Sequence, residues 1–323
     1  MASLVCTLFE GDYHYGVATL INSLLYHNCE STIVVGYKNQ LPNWIVNNLK
    51  KSNIEFENLN IKQFEIQTIF SNIYFIKIED EIHFANYKPY FIKKLFKIFN
   101  IENIFYFDPD IVVKYDWRIF EEWVSCGIAV CEDVNSPLQE FHPRRVAWRN
   151  YFKDCNLKFK NSIYVNSGFI GVNCNSSLDI IDKWIFVQEE LIPIIDSLKY
   201  APFSGNFNIP ISQRGDYAPF SKTDQDALNI ALELTDNKIS YIGKEGMGFI
   251  YGATIMLHAL GKPKPWSKKY FLEFLKGNKP NYVESEYWKY VNFKIHTYSN
   301  YKHKYKLLLL YVFKLLGRFY SKN

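Results

Sequence analysis

Two carboxylates, Asp108 and Asp110, end an apolar and aromatic run, Ile104-Phe105-Tyr106-Phe107-Asp108-Pro109-Asp110-Ile111-Val112-Val113. β-Branched and aromatic side chains suit a pleated surface, and unbroken hydrophobicity predicts a strand covered on both faces. Pro109 has no N–H for a sheet ladder, so the chain is expected to leave the sheet there, and strand ends are where open α/β sheets bind ligands. Near-extended backbone sends residues i and i+2 to the same side. Both carboxylates can then approach one hard divalent cation, which favours oxygen ligands and often shares them with substrate phosphates. Asp-Pro-Asp is also ordinary turn chemistry, and the same spacing recurs at Asp224-Gln225-Asp226. Context must separate the two.

Three further stretches carry chemistry. Asn166-Ser167-Gly168-Phe169-Ile170-Gly171-Val172-Asn173 puts a small polar turn in an apolar strand. Gly168 permits close backbone approach, and the Asn166 amide can donate to and accept from a hydroxyl-rich ligand; a bulge with a satisfied Asn reads the same way. Thr223 reads as an N-cap with Asp224 and Asp226 in the first helical turn, an explanation sufficient without function, although Asp224 and Gln225 could also point into a sugar site. His258 follows an apolar strand and precedes Gly261, Lys262, Pro263 and Lys264. Neutral imidazole suits a borderline cation such as Mn²⁺, and two lysines in one Pro-containing loop could neutralise a diphosphate.

The elements that must position these residues alternate. Strands are predicted at residues 4–8, 32–37, 54–59, 104–113, 128–131, 163–172, 239–242 and 254–257. Helices are predicted at 17–26, 42–51, 87–99, 117–124, 178–191 and 224–234, giving parallel βα units. Residues 132–160 have no assignment, and 199–222 read as a long loop rich in Pro, Gly and Ser. The strand, loop and helix opening lacks a Gly-x-Gly-x-x-Gly fingerprint, so no dinucleotide cofactor is expected.

At 323 residues the chain can bury a large core, and its net charge of +4 implies no nucleic-acid partner. The six cysteines form no Cys-x-x-Cys pair. With no signal-peptide pattern at the N-terminus, a reducing cytoplasm is expected. No apolar run reaches the roughly 20 residues that span a bilayer. Beyond Glu286 no acidic residue occurs, while Lys289, Lys294, Lys302, Lys304, Lys306, Lys314, Arg318 and Lys322 surround the run Leu307 to Phe313. Such a basic, amphipathic helical tail suits an anionic membrane surface; its bland alternative packs a Leu face on the domain.

Together these residues resemble the nucleotide-sugar glycosyltransferases of GT-A fold, and within them the retaining family-8 galactosyl- and glucosyltransferases and glycogenin. The resemblance covers residues 4–266. Phe107-Asp108-Pro109-Asp110 looks like the metal-binding Asp-x-Asp, and His258-Ala259-Leu260-Gly261-Lys262-Pro263-Lys264-Pro265-Trp266 resembles His-x-x-Gly-x-x-Lys-Pro-Trp. The resemblance implies an α/β, Rossmann-like, mixed but mainly parallel sheet flanked by helices over 1–266, with 267–323 as a helical, membrane-associating tail. It implies Mn²⁺ or Mg²⁺ held by Asp108, Asp110 and His258. The nucleotide sugar would meet Thr7, Leu8, Tyr15, Lys88, Asp108, Gly261 and Lys264, with Asn166, Asp224 and Gln225 as catalytic residues beside the donor sugar. Lys88 stands where the family commonly has Arg, and residues 132–160 and 199–222 have no clear counterpart.

The activity implied is that of a metal-dependent hexosyltransferase of EC class 2.4. It would be cytoplasmic and peripherally membrane-bound, moving a sugar from a nucleotide sugar, UDP-linked by this resemblance, to a glycan or lipid-linked acceptor in surface polysaccharide or lipopolysaccharide synthesis. One rival is a sugar-1-phosphate nucleotidyltransferase, which should show a Gly-rich, Arg-containing loop near the first strand; Gly11 and Gly16 are too sparse and no Arg occurs there. The other is a non-catalytic membrane-surface binding protein of the same fold, against which the intact Asp108, Asp110, His258 and Lys264 argue.

Overall fold

The computed structural model describes residues 2–50, 61–64, 72–201, 210–215 and 217–319. The first half of the chain runs β1 (Ser3–Phe9), α1 (His14–Tyr26), β2 (Thr32–Tyr37), α2 (Asn43–Val46), β3 (Leu49–Lys50), β4 (Ile61–Phe64), β5 (Ile73–Lys77), α3 (Phe84–Ile98) and β6 (Asn103–Phe107). Next come β7 (Ile111–Val113), α4 (Trp117–Ser125), β8 (Ile128–Cys131), α5 (Pro143–Tyr151), β9 (Phe169–Asn173), α6 (Asp179–Ile195) and α7 (Thr223–Leu234). β10 (Ile239–Ile242), β11 (Met256–His258), α8 (Tyr270–Leu275), α9 (Tyr282–Tyr290) and α10 (Asn300–Leu316) complete it.

Nine strands form one sheet in the order β10-β8-β9-β6-β1-β2-β5-β4-β3. Only β9 and β4 run against the others, because each pairs antiparallel with both of its neighbours. Alternation along the strands fills both faces. Leu4, Cys6 and Leu8 of β1, with Ile104 and Tyr106 of β6, pack under α3, α6 and α7. Val5 and Phe9, with Phe105 and Phe107, pack on the opposite side under α1 and α4. The continuous apolar run of β6 thus reflects cover on both faces. β1 leads through α1 to β2 on one side, while β6 lies on its other side, so the direction of winding reverses between β1 and β6. The crevice beyond those two strand ends is where such a sheet takes ligands.

Several expectations need correction. The run 104–113 is two strands, because Ile111 donates to the Asp108 carbonyl at 3.1 Å and closes a turn at Pro109. β7 leaves the main sheet and pairs antiparallel with β11. The helix expected at 42–51 stops at Val46; β-branched Ile45 and Val46 followed by Asn47 and Asn48 are weak helix formers, and β3 begins at Leu49. The strand expected at 54–59 lies outside the described residues. β5, overlooked in the sequence, extends the parallel core beside β2. The unassigned 132–160 contains α5, which His142 caps by accepting from the Arg144 N–H at 3.2 Å, with Pro143 in the first turn. Of the predicted strand 163–172 the ladder takes 169–172 and runs on to Asn173, with Val165 in an isolated bridge to Glu132, while the last strand lies at Met256–His258.

The C-terminal helices pack on the sheet domain. Asn22 of α1 accepts from the N–H groups of Lys294 and Ile295 and donates to the Tyr290 and Ile295 carbonyls. Val112 and Trp266 share a core cluster with Tyr287, Trp288, Leu310 and Phe313. Among the described residues, no helix is long and apolar enough to cross a membrane, and all six cysteines are free.

Candidate active site

The cleft at the carboxyl ends of β1 and β6 encloses about 500 Å³. Asp108 ends β6, and the turn through Pro109 swings Asp110 back beside it. Both carboxylates converge, though through a turn instead of the extended geometry the spacing suggested. The β7–β11 ribbon supplies the third group: its register puts His258 opposite Ile111, and the Ala259 N–H donates to the Asp110 carbonyl at 3.1 Å. One ligand atom each from Asp108, Asp110 and His258 lies within 4.8 Å of the other two. His258 Nε2 stands 3.2 Å from Asp110 Oδ1 and 3.9 Å from Asp108 Oδ2.

Asp110 is 5 % exposed. Burial alone would raise its carboxyl, but His258 and Lys264 outweigh that and hold it below the usual carboxylate range. Asp108 accepts from the Tyr106 hydroxyl at 2.9 Å, and its N–H donates to the Gly168 carbonyl at 2.7 Å. Gly168 is glycine for a spatial reason. A Cβ there would lie 2.6 Å from His258 Cε1, 2.8 Å from Asn166 Oδ1 and 3.0 Å from Asp108 Oδ2. Two carboxylates and an imidazole, kept clear by a missing Cβ, form a donor set consistent with a divalent cation. His258 Nδ1 is buried without a partner, so the ring is fixed by its Nε2 side.

Lys88 projects from α3 at 3 % exposure. Its ammonium donates to Asp108, to Asp224 at 3.1 Å, to the Ser167 carbonyl at 3.1 Å and to the Ser167 hydroxyl at 3.3 Å. Burial would lower its pKa, yet Asp108 and Asp224 more than reverse this and keep it charged. Ser167 Oγ also donates to Asp224 at 2.6 Å, and the Ser167 N–H donates to Gln225 Oε1 at 3.3 Å, leaving Gln225 Nε2 buried and unpartnered at the cleft. The second Asp-x-Asp divides its duties. Asp224 joins the cleft, while Asp226 is fully buried against Arg144, the Tyr164 hydroxyl at 2.7 Å and the Lys222 N–H at 2.9 Å. With Asn229 bracing Val165, this network fixes the N-terminus of α7 against the Asn166 turn.

No protein-family model and no curated protein matches the sequence. Solved structures do. The glycosyltransferase GlyE of Streptococcus pneumoniae TIGR4 aligns over 97 % of the chain at 14 % identity with a TM-score of 0.50, and the chain spans 64 % of the length of that protein. The galactosyltransferase LgtC, solved in complex with donor and acceptor sugar analogues, aligns over 94 % of the chain and 100 % of its own length at 12 % identity, TM-score 0.50. The chain has the GT-A glycosyltransferase fold. Identity this low is a likeness of fold, and the chemistry has to be argued from the cleft itself.

In this GT-A cleft the structure brings together Leu8, Lys88, Asp108, Asp110, Asn166, Asp224, Gln225, His258, Gly261 and Lys264, all expected from sequence. It does not bring Thr7 or Tyr15. Thr7 is fully buried in β1, on the face it shares with Val5 and Phe9, and the Tyr15 ring stacks on Tyr298 at 5.1 Å. Glu10 and Tyr13, from the same loop, line the cleft in their place. Lys264, expected to face a diphosphate, is bonded to Asp110 and to the Ala259 carbonyl at 2.6 Å. Asp133 was overlooked. It is 3 % exposed, accepts from Asn166 Nδ2 at 2.7 Å and lines the cleft just beyond β8. A carboxylate directly past a buried strand was the signal that singled out Asp108, but past Ile128–Cys131 it stops first at Glu132, which bridges to Val165, and Asp133 is the residue after that.

Proposed function

We propose that the chain is a metal-dependent hexosyltransferase that moves a sugar from a nucleotide sugar, UDP-linked, to a glycan or lipid-linked acceptor with retention, in surface polysaccharide or lipopolysaccharide synthesis. The observation that carries this is the meeting of Asp108, Asp110 and His258 at one end of a cleft whose other wall is Asn166, Asp224 and Gln225. Mn²⁺ or Mg²⁺ held by the first three supplies Lewis-acid stabilisation of charge on the departing diphosphate. The chain's own residues do the rest. Gln225 Nε2, unpartnered in the free protein, is available to a sugar hydroxyl or ring oxygen. Asp224, fixed by Lys88 and Ser167, accepts from sugar hydroxyls, and Asn166, pinned by Asp133 and the Gly168 N–H, keeps its amide in one orientation. Leu8, Glu10 and Tyr13 form the floor where the base would lie, and Gly261, at φ +74°, lets the backbone of the 259–264 loop approach phosphate. Titration with a panel of nucleoside diphosphates and nucleotide sugars, with and without Mn²⁺, tests this: one nucleotide should bind tightly only with metal, and NMR of the product should show retained configuration. Absence of binding to any of them, or inverted product, would overturn the corresponding part.

The second partner we propose is an anionic membrane surface, reached through a domain boundary near Trp266. α10 buries Leu310 and Phe313 and exposes Tyr301, Tyr305, Leu308, Tyr311 and Leu315, with Phe319 exposed just beyond it. Phe271, Leu272 and Leu275 of α8 are exposed as well, and Phe271 contacts the buried Phe313 with ring centroids 6.1 Å apart. Apolar side chains bordered by lysines and no acid beyond Glu286 suit adsorption on anionic lipid, at about 1 kcal/mol per basic residue near the surface. The triple variant Leu308→Ser/Tyr311→Ser/Leu315→Ser keeps the buried face of α10. It is expected to lose most co-sedimentation with anionic vesicles while turnover of a soluble acceptor changes less than about twofold; unchanged sedimentation would remove the membrane partner.

A further inference from the structure

Each carboxylate of the Asp108/Asp110 pair is balanced by a lysine, and the two lysines are held differently. Lys88 is locked by Asp108, Asp224 and both oxygens of Ser167, deep beneath the cleft. Lys264 has two partners, Asp110 Oδ2 and the Ala259 carbonyl, and it reaches them from a loop exposed from Leu260 to Pro263. Asp110 therefore offers Oδ1 toward His258 and has Oδ2 taken by an ammonium. A divalent ion and an ammonium on one carboxylate repel each other by several kcal/mol, even at the effective dielectric of about 20 that suits such sites.

We infer that Lys264 is a resident cation of this centre, which leaves Asp110 when a divalent ion arrives and then pairs with the diphosphate. The inference rests on the proposed function and adds a coupling to it. Lys264 is only 11 % exposed on its side chain, so once displaced it needs another anion nearby, and the diphosphate expected in the same cleft is that anion. Metal and nucleotide then favour each other through this side chain, in addition to their direct attraction. By linkage the enhancement is the same whichever binds first. Lys88 takes no part in the exchange because four bonds hold it.

Mn²⁺ affinity of the full chain, read from the EPR signal of free Mn²⁺ with and without UDP, tests the exchange. In the wild type, UDP should raise Mn²⁺ affinity well over tenfold. Lys264→Met, and Lys264→Gln as an independent substitution, should each bind Mn²⁺ alone about tenfold more tightly than wild type and show an enhancement by UDP about tenfold smaller. Lys262→Met removes the same charge from the same loop. Lys262 is exposed and bonded to no carboxylate among the described residues, so this variant should move Mn²⁺ affinity less than about threefold. Position 264 variants that bind Mn²⁺ alone no better than wild type, or a Lys262→Met that matches them, would overturn the exchange while leaving the glycosyltransferase reading intact. Wild type that takes up no Mn²⁺ with any nucleotide would overturn both.

Discussion

Asp110→Asn is expected to lower sugar transfer by a factor of about a thousand while the protein stays folded. Loss of a group aimed at developing charge typically removes about 10² to 10³ in rate, and here the cation that offsets diphosphate charge loses an anionic ligand as well. Asn has the shape of Asp and can still accept from His258 or Lys264, so geometry largely persists. Charge does not. Because His258 and Lys264 hold the Asp110 carboxyl below the ordinary range, it is ionised throughout any working pH, and no change of buffer restores the variant. The measurement is donor consumption with saturating Mn²⁺, beside circular dichroism to confirm folding. Metal-dependent turnover within tenfold of wild type would show that this cleft does its chemistry without Asp110.

Why Asp110 was legible from sequence, and Asp133 less so, has a physical answer. A buried strand must be apolar along its length, so a carboxylate after it marks where the chain leaves the sheet: after the aromatic β6 both Asp108 and Asp110 reach the cleft, whereas after β8 the first carboxylate is Glu132, which bridges to Val165, and Asp133 stands behind it. β1, β2 and β8 were readable for the same reason, and β2, β8 and the half-buried β10 kept their predicted bounds. β7 was not separable from β6, since only the turn at Pro109 divides them and an apolar run carries no mark of which sheet it joins. Short elements held by long-range contacts were also hidden. β4 has four residues, and α5 depends on buried ion pairs of Arg144 with Asp226 and Arg145 with Glu233, partners 82 and 88 residues away. Leu8 and Phe9 at the end of β1 line the cleft, whereas Thr7 lies one step further back, fully buried in the strand, and Tyr15 sits on α1 with its ring against Tyr298, placements that depend on where β1 ends and α1 begins. The His258 motif survived because its spacing, from the imidazole to Lys264, is set within one ribbon and one loop.

The largest effect on stability is expected at Lys88. Lys88→Met should destabilise the fold by about 3–5 kcal/mol, the usual range when one partner of a buried ionic cluster is removed and charge is left uncompensated. Two carboxylates depend on it: Asp108, which keeps the Tyr106 hydroxyl, and Asp224, which keeps the Ser167 hydroxyl. Neither hydroxyl supplies a positive charge. In the variant the two carboxylates face each other across the space the ammonium filled, with no cation from α3 between them. Urea midpoints of the variant and wild type at pH 7 measure this. Adding Asp224→Asn to Lys88→Met leaves one unpaired carboxylate instead of two and should recover part of the loss, a coupling that two independent sites would not show. A Lys88→Met protein as stable as wild type at pH 7 would mean that water reaches Asp108 and Asp224 freely, and the cleft would then lack the low-dielectric wall on which its proposed chemistry relies.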